Sequence, residues 1–124
     1  MNTIAVDAMG GDSAPIDIVK GAIKAKEQGV DVVLCGDKDL INPYLENYEI
    51  PVFDFPQVIS MDEDPLRAIR NKKNASIVGC MQLLKDKKVQ AVFSAGSTGA
   101  TLISAISILG NCLLYTSDAA DDAG

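Results

Sequence analysis

Between Val30 and Cys35 every residue except Asp31 is apolar, and the run stops at Gly36-Asp37. A strand of this kind is buried on both faces, as happens where helices cover a parallel sheet from either side. The rest of the chain repeats the theme. Thr3 to Val6 reads as a first strand, and Asp7-Ala8-Met9-Gly10-Gly11-Asp12 follows it as a glycine loop. A helix then runs from Pro15, which suits a first helical position, to Gly29, with Ile16, Val19, Ala22 and Ile23 at helical spacing. Asp37 is placed to cap a second helix reaching Tyr48, although Pro43 within it lacks an N–H donor. Pro51 to Phe55 offers a third strand. From Pro65 onward the spacing of Leu66, Ile69, Ile77, Cys80, Met81 and Leu84 predicts one long helix, or two broken near Lys73-Asn74. Val89 to Phe93 is a fourth strand, followed by the small-residue loop Ser94-Ala95-Gly96-Ser97-Thr98-Gly99. The last helix, Thr98 to Leu109, is apolar almost all round, as expected of a helix buried on several sides. Strand and helix alternating with short turns predict an α/β fold: an open, mainly parallel, Rossmann-like three-layer sheet.

Charge and composition narrow the function. Eleven basic and seventeen acidic residues leave a net charge of −6, which argues against a general nucleic-acid binder. No basic N-terminal region leads into an apolar run, so Met1 is expected to open a cytoplasmic chain. Gly99 to Tyr115, the most apolar stretch, is interrupted by Ser104, Ser107, Gly110 and Asn111 and falls short of the roughly 20 residues of a spanning helix. Cys35, Cys80 and Cys112 form no CxxC and fit reduced thiols. With no histidine in the chain, a His-containing zinc site and a Ser-His-Asp or Cys-His mechanism are excluded within these residues. Residues 112–124 carry three acids and no base, match no element of the alternating pattern, and resemble the translation of a sequencing-library adapter. They are expected to be a non-native tail behind an α/β segment of residues 1–111.

Three features could carry chemistry. In an open α/β sheet, ligands collect outside the carboxyl ends of the strands, where both glycine loops fall. In the first loop Gly10 and Gly11 permit close backbone approach, while Asp7 and Asp12 could orient water, a donor or a base; a plain turn with Asp12 or Ser13 capping the helix is the alternative. In the second, Gly96 and Gly99 free the backbone and Ser94, Ser97 and Thr98 offer hydroxyls at a helix start suited to phosphate, or simply cap that helix. Neither loop is a GxxxxGK[ST] or GxGxxG fingerprint, so a nucleotide cofactor is not indicated. The third feature is Arg67, Arg70, Lys72 and Lys73, four of eleven basic residues within seven positions. Arg70 and Lys73 could share a helical face and hold one anion, or the cluster could be a solvated face. Asn74 and Ser76 add neutral donors. Together these features read as a phosphate-handling α/β domain.

The motifs also carry a resemblance. Ile4-Ala5-Val6-Asp7-Ala8-Met9-Gly10-Gly11-Asp12 with Ala14-Pro15, Asp64 to Arg70 with Lys72-Lys73-Asn74-Ala75-Ser76, and Ser94 to Ala100 resemble, in order and spacing, the bacterial phosphate acyltransferases of phospholipid synthesis, the PlsX family. Residues 1 to about 111 are covered, as the N-terminal part of a much longer family chain, so the fold is expected to be truncated. The resemblance implies transfer of a fatty acyl group from an acyl carrier protein thioester to inorganic phosphate, giving acyl phosphate. It implies no metal or nucleotide cofactor, a homodimer, and a cytoplasmic protein able to associate peripherally with the membrane. Substrate-binding residues carried over are Asp7, Gly10, Gly11, Asp12, Arg70, Lys72, Lys73, Ser76, Ser94, Gly96, Ser97, Thr98 and Gly99; no catalytic residue is singled out. Arg70, Lys72 and Lys73 would supply charge, the Gly96–Gly99 loop backbone donors, and Asp7 and Asp12 orientation. The chain departs from the family pattern at Ser13, Ala75 and Ser97, where histidine, serine and asparagine are usual. A phosphotransacetylase-like enzyme using coenzyme A and a non-catalytic phosphate-binding module are the alternatives.

Overall fold

A computed structural model describes residues 2–109; the expected tail, and Cys112 within it, lie outside the described residues. Along the chain run β1 (Thr3–Asp7), α1 (Ile16–Glu27), β2 (Asp31–Gly36), α2 (Lys38–Ile41), a 3₁₀ turn (Asn42–Tyr44), β3 (Val52–Asp54), α3 (Pro65–Asn71), α4 (Ser76–Lys85), β4 (Ala91–Phe93) and α5 (Thr98–Leu109). The four strands form one sheet in the order β3-β2-β1-β4. Every pairing is parallel, with Asp7 opposite Cys35, Val6 opposite Phe93 and Cys35 opposite Phe53. The α/β architecture expected from the alternating pattern is therefore present.

Alternation along the strands divides the core into layers. Val6 of β1 and Val32 and Leu34 of β2 pack with Val19, Ala22 and Ile23 of α1. Ala5 and Cys35, one residue out of phase, pack with Cys80 and Leu83 of α4, on the other side of the sheet. Leu34 and Val19 are fully buried, and truncating a side chain such as Leu34 to alanine costs about 2–5 kcal/mol in sites of this kind. Phe55, just after β3, leaves no room for a Cβ on Gly79, so α4 lies close against the chain there.

The structure decides four local expectations. The helix predicted from Asp37 to Tyr48 stops at Ile41: the Asp37 carboxylate caps it by accepting from the Asp39 and Leu40 N–H groups, but the chain tightens into the 3₁₀ turn at Asn42-Pro43. Between Pro65 and Lys85 the broken alternative holds, with Lys72 at the end of α3 and Ala75 already extended before α4. Lys73 is therefore off the helix and shares no helical face with Arg70. Helix α1 begins at Ile16 behind Pro15 with no side-chain cap, so neither Asp12 nor Ser13 caps it. Helix α5 buries Ala100, Ser104 and Ala105 but leaves Leu102 57% and Ile106 49% exposed among the described residues.

From β1 the chain proceeds to β2 and β3 on one side, whereas β4 returns to the other side of β1. The strand order thus reverses between β1 and β4, and the loops after these two strands, the two glycine loops, leave the same end of the sheet side by side. Crevices at such reversals are where open α/β sheets bind ligands.

Candidate functional site

Asp7 ends β1 and is only 3% exposed. A buried carboxylate needs hydrogen-bond donors, and three surround it. Its Oδ1 accepts from the Met9 N–H at 3.1 Å and from the Ser76 hydroxyl at 2.5 Å, and its Oδ2 accepts from the Ser94 hydroxyl at 2.8 Å. The Ser94 Oγ in turn accepts from the Gly96 N–H at 3.2 Å. One side chain thereby ties the first glycine loop, the start of α4 and the second glycine loop together. The space among Asp7, Ser76, Ser94 and Gly96 is only about 10 Å³, too little for a bound anion. Asp7 organises the floor of the site.

The two loops touch through their glycines. A Cβ on Gly10 would stand 2.8 Å from the Gly96 nitrogen and 2.8 Å from the Asp7 Oδ2, so only glycine fits. Gly11 has φ of +100° over Ala95, a conformation that L side chains rarely adopt. Ser97 caps α5: its Oγ accepts from the Ala100 N–H at 3.2 Å, and its carbonyl accepts from the Thr101 N–H and hydroxyl. An asparagine at this position could make the same cap. At Gly99 a Cβ would meet Pro65 at 2.8 Å, which seats the start of α5 against the start of α3.

Above this floor lies a cleft of about 440 Å³. One wall is made by Met9, Gly11 and Asp12 with Gly96 and Ser97, the other by the segment Val58 to Asp62. The first turn of α5 presents backbone N–H groups that the helix itself cannot pair, together with the positive end of its dipole. Asp12 and Asp62 are the charged side chains of the lining.

The segment forming the second wall is tied down by the chain that follows α3. Gln57 bridges Ala75, exchanging backbone hydrogen bonds with Asn74 and Ser76, while its side chain accepts from the Asn74 N–H. Lys72 donates from Nζ to the Val58 carbonyl at 2.8 Å and to the Glu63 Oε1 at 2.6 Å. Glu63 Oε2 accepts from the Ser60 N–H at 3.0 Å. The Lys72 hydrogen bond, ahead of that from Ser60, holds the Glu63 carboxyl below its ordinary pKa.

The structure therefore gathers Asp7, Gly10, Gly11, Asp12, Ser76, Ser94, Gly96 and Ser97 around one cleft and its floor, with Thr98 and Gly99 opening α5 beside it. Arg70, Lys72 and Lys73 do not line it. Arg70 shares a separate surface cleft of about 400 Å³ with Asp64, Leu66, Arg67 and Asn71, Lys73 is exposed, and Lys72 is engaged with Glu63. Sequence reading missed the wall from Val58 to Asp62 and the partner role of Glu63. Neither has a short-range signal, since Glu63 meets Lys72 only after the chain has turned through α3. Cys35 and Cys80 share one core cluster, where the neighbouring Cys35 thiol and burial push Cys80 up, leaving it an inert thiol.

Known proteins share this segment. The family model described as "Fatty acid synthesis protein" matches residues 2–116. A phosphate acyltransferase of Desulforamulus reducens is 48% identical over 115 residues, covering 89% of this chain and 34% of that protein. Phosphate acyltransferases of Gloeothece citriformis and Syntrophomonas wolfei are 50% and 46% identical, each covering 86% of this chain and 32% and 36% of their own length. The chain spans about a third of the length of these curated relatives.

Proposed function

This chain belongs to the fatty acid synthesis protein family, and from that premise we propose that it is the N-terminal segment of an acyltransferase that moves a fatty acyl group from an acyl carrier protein thioester to inorganic phosphate. The observation that carries this reading is the cleft at the reversal of strand order, where two glycine loops expose backbone at the start of α5. Such a place suits an oxyanion better than a nucleobase or a sugar. The relatives named phosphate acyltransferase support the same assignment.

In this reading phosphate sits in the cleft with its oxygens toward the N–H groups that open α5. One phosphate oxygen attacks the thioester carbonyl, the new C–O bond forms as the C–S bond breaks, and the carrier leaves as a thiolate that takes a proton. The product is acyl phosphate. Placement and electrostatics supply the rate, and no protein nucleophile is required. Asp7 is fully engaged by its donors and serves as scaffold, while Asp12, exposed at the mouth, can accept a hydrogen bond from a protonated phosphate oxygen. Arg70 and Lys73, exposed and without an ion-pair partner among the described residues, bring positive charge to the anionic substrates. The complete enzyme is a homodimer in the cytoplasm with peripheral access to the membrane. Among the described residues, no helix is long and apolar enough to cross a membrane.

The test is phosphate-dependent acyl phosphate formation by the complete enzyme, trapped with hydroxylamine. Turnover with carrier-protein thioesters supports the reading. Preference for coenzyme A thioesters would make it a phosphotransacetylase-like enzyme, and phosphate binding without turnover would make it a binding module.

A further inference from the structure

Lys72 reaches back from the end of α3 to bind two points of the segment that walls the cleft. Its ammonium holds the Val58 carbonyl and the Glu63 carboxylate, and that carboxylate holds the Ser60 N–H. Val58, Ile59, Ser60, Met61 and Asp62, all within or between these anchor points, are the residues that line the cleft on that side. Burial does little to fix them. Only Ile59 is buried, Val58 is 40% exposed and Met61 63% exposed. A segment with so few buried contacts takes its position from its polar ties. The lysine itself is anchored at both backbone ends, its N–H donating to the Ala68 carbonyl at 2.8 Å and its carbonyl accepting from the Ala75 N–H at 3.1 Å.

We propose that Lys72 is a positioning residue, which with Glu63 sets the width of the phosphate cleft by pinning the wall from Val58 to Asp62, and that it does not itself bind phosphate. The proposal rests on the reading of the cleft as the phosphate site. Its chemistry differs from that of a direct phosphate lysine in one decisive way. A carboxylate beside a phosphate-binding lysine competes with the phosphate, so removing the carboxylate would free the lysine and strengthen binding. A carboxylate that shares a tie with the lysine is as necessary as the lysine.

The experiment compares Lys72→Met, Glu63→Ala, the double variant and Lys72→Arg in the complete enzyme. Positioning predicts that Lys72→Met and Glu63→Ala each raise the KM for inorganic phosphate by about three- to tenfold with little change in kcat. The double variant should be no worse than either single change by more than about twofold, because the tie is broken only once. Lys72→Arg, which can still span the Val58 carbonyl and the Glu63 carboxylate, should retain most of the parent's KM. A rise confined to Lys72→Met, with Glu63→Ala unchanged or binding phosphate more tightly, would overturn the proposal in favour of direct contact. No change in any variant would also overturn it. Amide hydrogen exchange of residues 58–63 gives a readout that needs no turnover: it should quicken in both Lys72→Met and Glu63→Ala, and unchanged exchange would refute the tie. A parent enzyme that makes no acyl phosphate would count against the functional reading alone.

Discussion

Gly10 and Gly96, the central glycines of two loops far apart in sequence, approach so closely that a Cβ on the first would lie 2.8 Å from the backbone nitrogen of the second. That contact seats the loop after β1 against the loop after β4. Gly10→Ala must push them apart and should reduce activity of the complete enzyme by at least about a hundredfold, since small displacements of binding groups are costly in catalysis. Gly21 lies within α1, where a Cβ would meet nothing within 4 Å. Gly21→Ala should leave activity intact and stabilise the fold by about 0.5–1 kcal/mol. Steady-state kinetics and chemical denaturation of the two variants check both.

Asp7 joins Ser76 and Ser94, which are 69 and 87 residues away in sequence, through one buried carboxylate. Asp7→Ala strands these hydroxyls and the Met9 N–H in the interior and should destabilise the protein by about 2–4 kcal/mol. Ser94→Ala removes one donor and should cost about 1–2 kcal/mol. In the double variant the two losses should fall short of additivity, because the Asp7–Ser94 bond is counted in both. Urea unfolding of the three proteins measures this.

The hydrogen bond from Lys72 depresses the pKa of Glu63. A carboxyl lowered in the folded state adds stability that is complete above its unfolded pKa and is lost as the pH falls through the folded value. The tie between Lys72 and the cleft wall should therefore be intact at neutral pH and released only in acid. Carbon-detected NMR titration should find the Glu63 carboxyl below the ordinary glutamate pKa of about 4.3, rising toward it in Lys72→Met. An ordinary value in the parent protein would contradict the bond.

The strands were legible because a parallel sheet covered on both faces demands runs such as Val30 to Cys35, and the two glycine loops announced themselves by composition. Local chemistry also showed Asp37 as a helix cap and Pro43 as a weak point, though not that the helix would end as early as Ile41. What stayed hidden depended on partners distant along the chain. Nothing near Asp7 indicates that Ser76 and Ser94 will converge on it. The cluster from Arg67 to Lys73 looked like one surface, but α3 ends at Asn71, so Lys73 leaves the helix while Lys72 turns to Glu63. The apolar content of α5 predicted burial on several sides, yet side-chain composition alone does not reveal that Leu102 and Ile106 remain exposed.

If phosphate binds in the cleft between the two glycine loops, the glycine amides themselves must sense it. In the complete enzyme labelled with ¹⁵N-glycine, titration with inorganic phosphate should shift the amide resonances of Gly10, Gly11, Gly96 and Gly99 and leave those of Gly21 and Gly29, on α1 and the turn after it, where they were. Saturating shifts confined to the four loop glycines are the predicted result. Phosphate that binds while those four resonances stay still would contradict the account and place the anion elsewhere.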